Sequence, residues 1–283
     1  MSTRTRRLAC AAVVVASLGV GSGRASAAPF VFESAGAAAA AIQPTVDAFR
    51  AALGTLNGNL PQSFPDGRRE INWDGVPTAA SDPNAFPADF FNGTTAGRAR
   101  GVQLSTPGTG FLVSANAGDG PTVEFGFPND FATFSAQKLF TAINSNITDV
   151  TFFVPGTTTA ATVSGFGAVF TDVEVAGATR IDVYDATGGF LFGRDVLVGG
   201  NESLSFLGIL FNAGERIGRV RLTSGANTIV SNGVLGNPND DVVVMDDFIF
   251  GEPQAAASVP EPVTMTMLAL GVMGMAARRR VAG

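Results

Sequence analysis

Carboxylates are the side chains in this chain that fall into groups suited to chemistry, and what is missing around them narrows that chemistry. No histidine occurs anywhere, which removes Ser-His-Asp and Cys-His catalysis, imidazole metal sites and a histidine proton switch. The single cysteine, Cys10, lies in an apolar N-terminal run, so the rest of the chain has no disulfide, thiol nucleophile or thiolate ligand. Gly165-Phe166-Gly167 lacks a third glycine, and neither a Gly-x-Ser-x-Gly elbow nor a phosphate-cradling loop is present. Asp240-Asp241 precede the last apolar run, Asp246-Asp247 interrupt it, and Asp172 and Glu174 follow Phe170. Calcium takes about 6–8 oxygen ligands, which loops of a β-fold can supply. Asp172, Glu174, Asp246 and Asp247 are therefore the candidate calcium ligands, with Ca2+ the one cofactor suggested. No contiguous EF-hand loop exists, so such a site must be assembled from distant segments, and acids at strand ends are more commonly solvated turns.

Two further constellations deserve weighing. Glycoside hydrolysis needs two carboxyls about 5–5.5 Å or 6.5–9.5 Å apart; Glu70, Asp74, Glu124 and Glu174 are acids that could meet in a cleft. Asn72-Trp73-Asp74 holds the one tryptophan and could form a stacking platform for a sugar ring with polar partners. The competing reading makes Trp73 a core anchor and Asp74-Gly75 a turn, and it weighs more because tryptophan is mostly buried.

The elements that must position these residues are β-strands. Phe111–Ala115, Thr122–Phe127, Val150–Val154, Thr162–Phe170 and Thr179–Tyr184 are predicted as strands. So are Leu191–Val198, Ser203–Leu210, Ile217–Leu222 and Val242–Phe250. Pro155-Gly156, Gly188-Gly189 and Gly199-Gly200-Asn201 are among the turn signals between them. Short β-branched and aromatic runs at this spacing, with no helix-length pattern between them, predict an antiparallel β-sandwich, jelly-roll-like, and not βαβ units. Phe166, Ala168 and Phe170 should share one face, and Ile181 and Val183 should oppose Arg180, Asp182 and Tyr184. Near the N-terminus, the alanine run 35–41 reads as linker or fraying helix. Pro44 with Val46, Phe49 and Leu53 predicts a short amphipathic helix that Gly54 ends.

The chain has 18 basic and 24 acidic residues. Setting aside Glu261 and the seven arginines of the two ends leaves 11 basic against 23 acidic, a net charge of −12. Such a chain repels phosphate backbones, so nucleic acid is not an expected partner.

Both ends read as processing signals. Arg4, Arg6 and Arg7 precede the apolar stretch Leu8 to Val20, and Ala25-Ser26-Ala27 supplies small residues for cleavage, the three-part pattern of a signal peptide. At the other end stand Val259-Pro260-Glu261-Pro262, apolar Val263 to Ala277, and Arg278-Arg279-Arg280. As a helix the apolar run rises about 22 Å, a short span for a hydrocarbon core about 30 Å thick. The three arginines favour a cytoplasmic C-terminus. This tail resembles the PEP-CTERM sorting signal. The resemblance implies an exported bacterial surface protein, made where exopolysaccharide is made and handled by an exosortase-type membrane enzyme.

The segment Val243–Pro253 resembles the closing strand of lectin-like or jelly-roll modules exported with such tails, and Glu70–Val76 is similar to segments of such cargo. The expected organisation is a signal peptide (1–27), a linker with a short helix (28–59) and a β-sandwich cargo (60–252). A linker (253–258) and the sorting tail with its transmembrane-type helix (259–283) complete it. The expected partners are Sec-type export machinery, the exosortase-type enzyme, the inner membrane and extracellular polysaccharide. With no catalytic motif, a carbohydrate-binding module is the leading expectation; a structural or adhesive protein and a carboxylate-dependent hydrolase are the alternatives.

Overall fold

The computed structural model describes residues 28–115, 124–127, 130–230, 234–235 and 241–256. The signal peptide, the sorting tail with Val259–Pro262 and Arg278–Arg280, and Asp240 lie outside them. In chain order the elements are β1 (Phe30–Gly36), α1 (Ala39–Leu53), β2 (Arg68–Ile71), β3 (Val102–Ser105), β4 (Gly110–Val113), β5 (Phe140–Ile143) and β6 (Ile147–Phe152). There follow β7 (Ala161–Thr162), β8 (Gly165–Thr171), β9 (Arg180–Tyr184), β10 (Phe190–Asp195) and β11 (Leu204–Leu210). The last are β12 (Arg219–Thr223), β13 (Ile229–Val230), β14 (Val234–Leu235), β15 (Val244–Gly251) and β16 (Gln254–Ala255).

The fold is mainly β, with two sheets packed face to face. The larger runs β1-β11-β8-β15-β5-β13-β14, with β2 also on β15 and β4 also on β5; the smaller runs β10-β9-β12-β6-β3. Pairing is antiparallel except where β13 meets β5. Between the sheets Phe166, Ala168 and Phe170 of β8 and Phe248 and Phe250 of β15 pack against Val150, Ile181, Val183, Val220 and Leu222. The side-chain alternation expected for β8 and β9 is therefore the one observed.

The outer face of the larger sheet is not left to water. Helix α1 lies across it and buries Ile42, Val46, Phe49 and Leu53, a 4-3-4 spacing that puts all four on one stripe. They meet Val169, Leu204, Phe206, Leu210 and Ile249. Covered on both sides, β8, β11 and β15 are buried along their whole length, which is why these strands read as continuous apolar runs. Gly167 and Gly208 face each other across β8 and β11 and form the socket for Phe49. A Cβ at either position would come within 2.8 Å of that ring.

Two expectations need correction. The alanine run is neither linker nor frayed: Ala35 and Gly36 close β1, which pairs with β11, and Ala39–Ala41 form the first turn of α1. Because the helix starts at Ala39, Pro44 lies inside it. Within Thr122–Phe127 the described residues Glu124–Gly126 make a 3-10 turn with Phe125 at φ 60°, not a strand. Among the described residues no helix is long and apolar enough to cross a membrane; the C-terminal helix expected for that role falls outside them.

The irregular stretch between α1 and β2 is held by one buried ion pair. Arg69 Nε and Nη2 donate to Glu252 Oε2 and Oε1, each at 2.8 Å, with side chains 0% and 1% exposed. The same guanidinium donates to the carbonyls of Leu60, Gln62 and Ala99. Glu252 also accepts from Asn57 Nδ2 at 2.9 Å and from the Phe64 amide at 3.1 Å.

Candidate ligand cleft beside the β15 bulge

Two successive acids inside an apolar strand need a device that turns both away from the core. Here it is a β-bulge. Met245 pairs with Phe170 and Phe248 with Ala168, so β15 carries one extra residue between these positions. Met245 and Phe248 both enter the inter-sheet core, whereas Asp246 and Asp247 both reach segments on the outer side. Asp246 Oδ2 accepts the amides of Phe134 at 2.7 Å and Ser135 at 3.3 Å. Its Oδ1 lies 3.1 Å from Ser135 Oγ, and its main-chain carbonyl accepts Trp73 Nε1–H at 2.7 Å. Asp247 Oδ2 accepts Arg50 Nη2 of α1 at 3.2 Å.

Burial is the main cause that lifts both carboxyls above the usual range. Asp246 is held well above it, with the neighbouring Asp247 charge adding to the effect. Asp247 is pushed up to about 6, against the opposing pull of hydrogen bonds and of Arg50. Burial of two adjacent acids thus favours protonated forms of the pair over the doubly ionised one. Glu70 of β2 stands on the other side of Arg50. Its Oε2 accepts Arg50 Nη2 at 2.9 Å, while Oε1 accepts Arg50 Nε at 3.1 Å and Arg68 Nε at 2.7 Å.

Arg50, Glu70 and Asp247 form one wall of an open cleft of about 420 Å³. Gln43, Asn57, Asn59, Asn72, Arg100, Ser135, Leu56 and Phe134 complete its lining. A second cleft of about 410 Å³ adjoins it, with Trp73, Pro77, Phe90, Phe91, Arg98 and Arg100 in its lining. Asn72 and Arg100 line both, so the two adjoin at these residues, and together they are called the groove.

The triplet Asn72-Trp73-Asp74 is split by this geometry. β2 ends at Ile71, and Trp73 takes a left-handed conformation at φ 63° that starts the turn. Trp73 is completely buried, stacked on Phe140 at 4.1 Å and edge-on to Phe86, Phe91 and Phe248. It packs as a core anchor with no exposed surface, at the floor of the second cleft beside Asn72. Asp74 turns to the Lys138 amide at 3.0 Å and to Ser135 Oγ at 3.1 Å. Asn72 alone of the three is exposed, at the junction of the clefts.

The four calcium candidates fall into two separate groups. Asp172, at the end of β8, is pushed up to about 6 by burial, with the charges of Glu174, Asp241 and Asp130 adding to it. Asp241 accepts the amides of Glu174 and Val175, both at 3.3 Å. Asp246 and Asp247 belong to the bulge and interact with Arg50 and Ser135. Among the described residues no set of three or more acids is arranged to hold a metal ion. Of the hydrolase candidates, Glu70 lines the cleft, and its carboxylate neighbour there is Asp247, not Asp74, Glu124 or Glu174.

Arg50, Arg100, Asn59 and Phe134 were not singled out from the sequence. They converge from α1 and from irregular segments, so no local spacing marks them. The one available signal was the paired acid inside β15, which breaks strand alternation.

Residues 258–280 match the PEP-CTERM protein-sorting motif. The chain is accordingly an exported protein, sorted through an exosortase-type enzyme and anchored in the membrane transiently. No curated protein and no solved structure matches it.

Proposed function

We propose that this exported protein is a saccharide-binding component of the cell surface or extracellular matrix, and that the groove around Asn72 is where polysaccharide docks. One observation carries the reading: four carboxamides, two guanidiniums, two carboxylates and a phenylalanine surround a single open cleft of about 420 Å³. Sugars present adjacent hydroxyls, each both donor and acceptor. The planar amides and the Arg100 guanidinium can meet such pairs with two bonds at once, while an aromatic ring covers the apolar C–H face; Arg50, Glu70 and Asp247 are bonded to one another. The volume lies in the range of ligand sites, about 300–1,000 Å³. Polysaccharide pull-down or a glycan array with the purified protein tests this, and Asn72→Ala should weaken capture without changing the melt. Capture no better than background for every glycan would leave the competing reading, a structural or adhesive protein without a small ligand.

Asp247, held near pH 6 beside an ion-paired Glu70, supplies the observation that favours hydrolysis instead. Against it, Arg50 and Arg68 occupy both oxygens of Glu70, and Asp247 is held through Oδ2 by Arg50 with its Oδ1 buried. Release of reducing ends that disappears in Glu70→Gln would reverse this ranking.

A further inference from the structure

Seven of the ten described arginines are ion-paired with carboxylates, and Arg216 donates to Thr162. Arg98 and Arg100 do neither, although the chain is strongly acidic, and both line the groove. Arg98 lies over Phe90 at 3.7 Å and Arg100 over Phe91 at 4.5 Å, on rings fixed by the 3-10 turn Phe90–Asn92. The Arg100 Nε is buried and has no hydrogen-bond partner. Burial and the neighbouring Arg69 charge lower its pKa to about 10, so it stays cationic at neutral pH.

From this geometry we infer that the groove takes an acidic saccharide, and that Arg100 receives a sugar carboxylate with Arg98 as a second cationic contact. The inference rests on the saccharide-binding reading and names the ligand class. Holding an unpaired, part-buried guanidinium costs stability, and a neutral sugar would leave that cost in place. A carboxylate matches the planar fork with two parallel hydrogen bonds. Because Arg100 faces both clefts, a polymer crossing from one to the other passes its charge at the midpoint. The net charge of the protein opposes an anionic chain at long range, but that repulsion is screened beyond about 8 Å at physiological salt. The local pair is screened less, since it is partly shielded from solvent.

The test is calorimetric titration with a hexameric oligouronate and with the same oligomer after its carboxyls are reduced to alcohols. Wild-type protein should bind the uronate about tenfold or more tighter than the reduced form, as expected for one charge-assisted contact. Arg100→Gln should erase that preference, and Arg100→Lys should restore part of it, because lysine keeps the charge and loses the fork. Trp73 fluorescence melts check that the variants are folded; should Arg100→Gln unfold, the two oligomers on wild-type protein decide alone. Equal affinity for both oligomers, or a preference that survives in Arg100→Gln, overturns the acidic ligand while leaving saccharide binding intact. Failure of both oligomers to bind, with neutral glycans also at background, overturns the two readings together.

Discussion

Removing both charges of the Arg69–Glu252 pair should destabilise the protein by much less than the two single removals added together. Glu252 accepts four hydrogen bonds, two from Arg69 and one each from Asn57 and the Phe64 amide, in a site closed to water. Glu252→Gln keeps the shape but turns an NH2 group toward donors, and it leaves the guanidinium buried without a counter-charge. Such a loss costs about 3–5 kcal/mol. Arg69→Met strands the carboxylate in the same way and removes the donors to Leu60, Gln62 and Ala99. In the double variant no buried charge is left over. The remaining cost is the three carbonyls and the one donor, Asn57 Nδ2 or the Phe64 amide, that faces the new NH2 group, about 1 kcal/mol each if water does not replace the lost partners. The coupling between the two sites should therefore be several kcal/mol and favourable. Urea unfolding followed through Trp73, the one tryptophan and fully buried, gives all three differences from one signal. Single variants costing under about 1 kcal/mol, or a double variant equal to their sum, would refute the argument.

Three shorter predictions follow from other parts of the fold. Asp247 binds its proton near pH 6 when folded against about 3.9 unfolded, so the folded state holds more protons between these values. Its contribution is complete below about pH 4 and is lost as the pH rises through 6. The melting temperature should climb from pH 7.5 to pH 5, and Asp247→Asn should reduce that rise, the remainder coming from other raised acids such as Asp172. Gly208→Ala would press a methyl into the Phe49 ring and should cost about 1–3 kcal/mol; a melt in which Phe49→Leu recovers part of the loss would identify the clash. Because Asp172 and Glu174 are separated from Asp246 and Asp247, excess calcium and chelator should give the same melt. A calcium-dependent shift would mean the two acidic groups bind where their observed partners give no hint of it.

How much could be read beforehand follows from how local each cause is. Strand alternation in β8 and β9 depends only on neighbours two residues apart, so Phe166, Ala168, Phe170, Ile181 and Val183 were placed correctly. The helix at Val46, Phe49 and Leu53 was legible for the same reason, though its start was not, because no side chain caps Ala38. That α1 covers the larger sheet is a tertiary fact, and its trace in the sequence is indirect: two glycines, Gly167 and Gly208, in strands that otherwise favour bulky residues. β1 was missed because Ala35 and Gly36 blend into the alanine run, while its ladder is set by pairing with β11, about 170 residues away. From sequence, Asp246-Asp247 reads as an acidic pair suited to calcium. The bulge that turns both toward Arg50 and Ser135 requires knowing the partner strand.

The division between cargo and tail leads to the last prediction. The final described ladder pairs Gln254 and Ala255 of β16 with Thr162 and Ala161 of β7, and the Ala256 amide donates to Ala160 at 2.9 Å. The sorting motif begins at residue 258, just beyond this closure. Glu252, which completes the buried pair, and the bulge at Asp246 and Asp247 lie before it. Every described residue of the groove is held by elements between α1 and β15, so the tail is not needed to build the site. Ending the chain after Ala256 should leave the urea midpoint and saccharide capture unchanged while removing the protein from the membrane fraction of the producing cells. Intact-mass measurement of the full-length protein released outside the cell should show a C-terminus shortened within the motif. Loss of folding or of capture on truncation would mean that the tail takes part in the cargo and that address and binding are not separate.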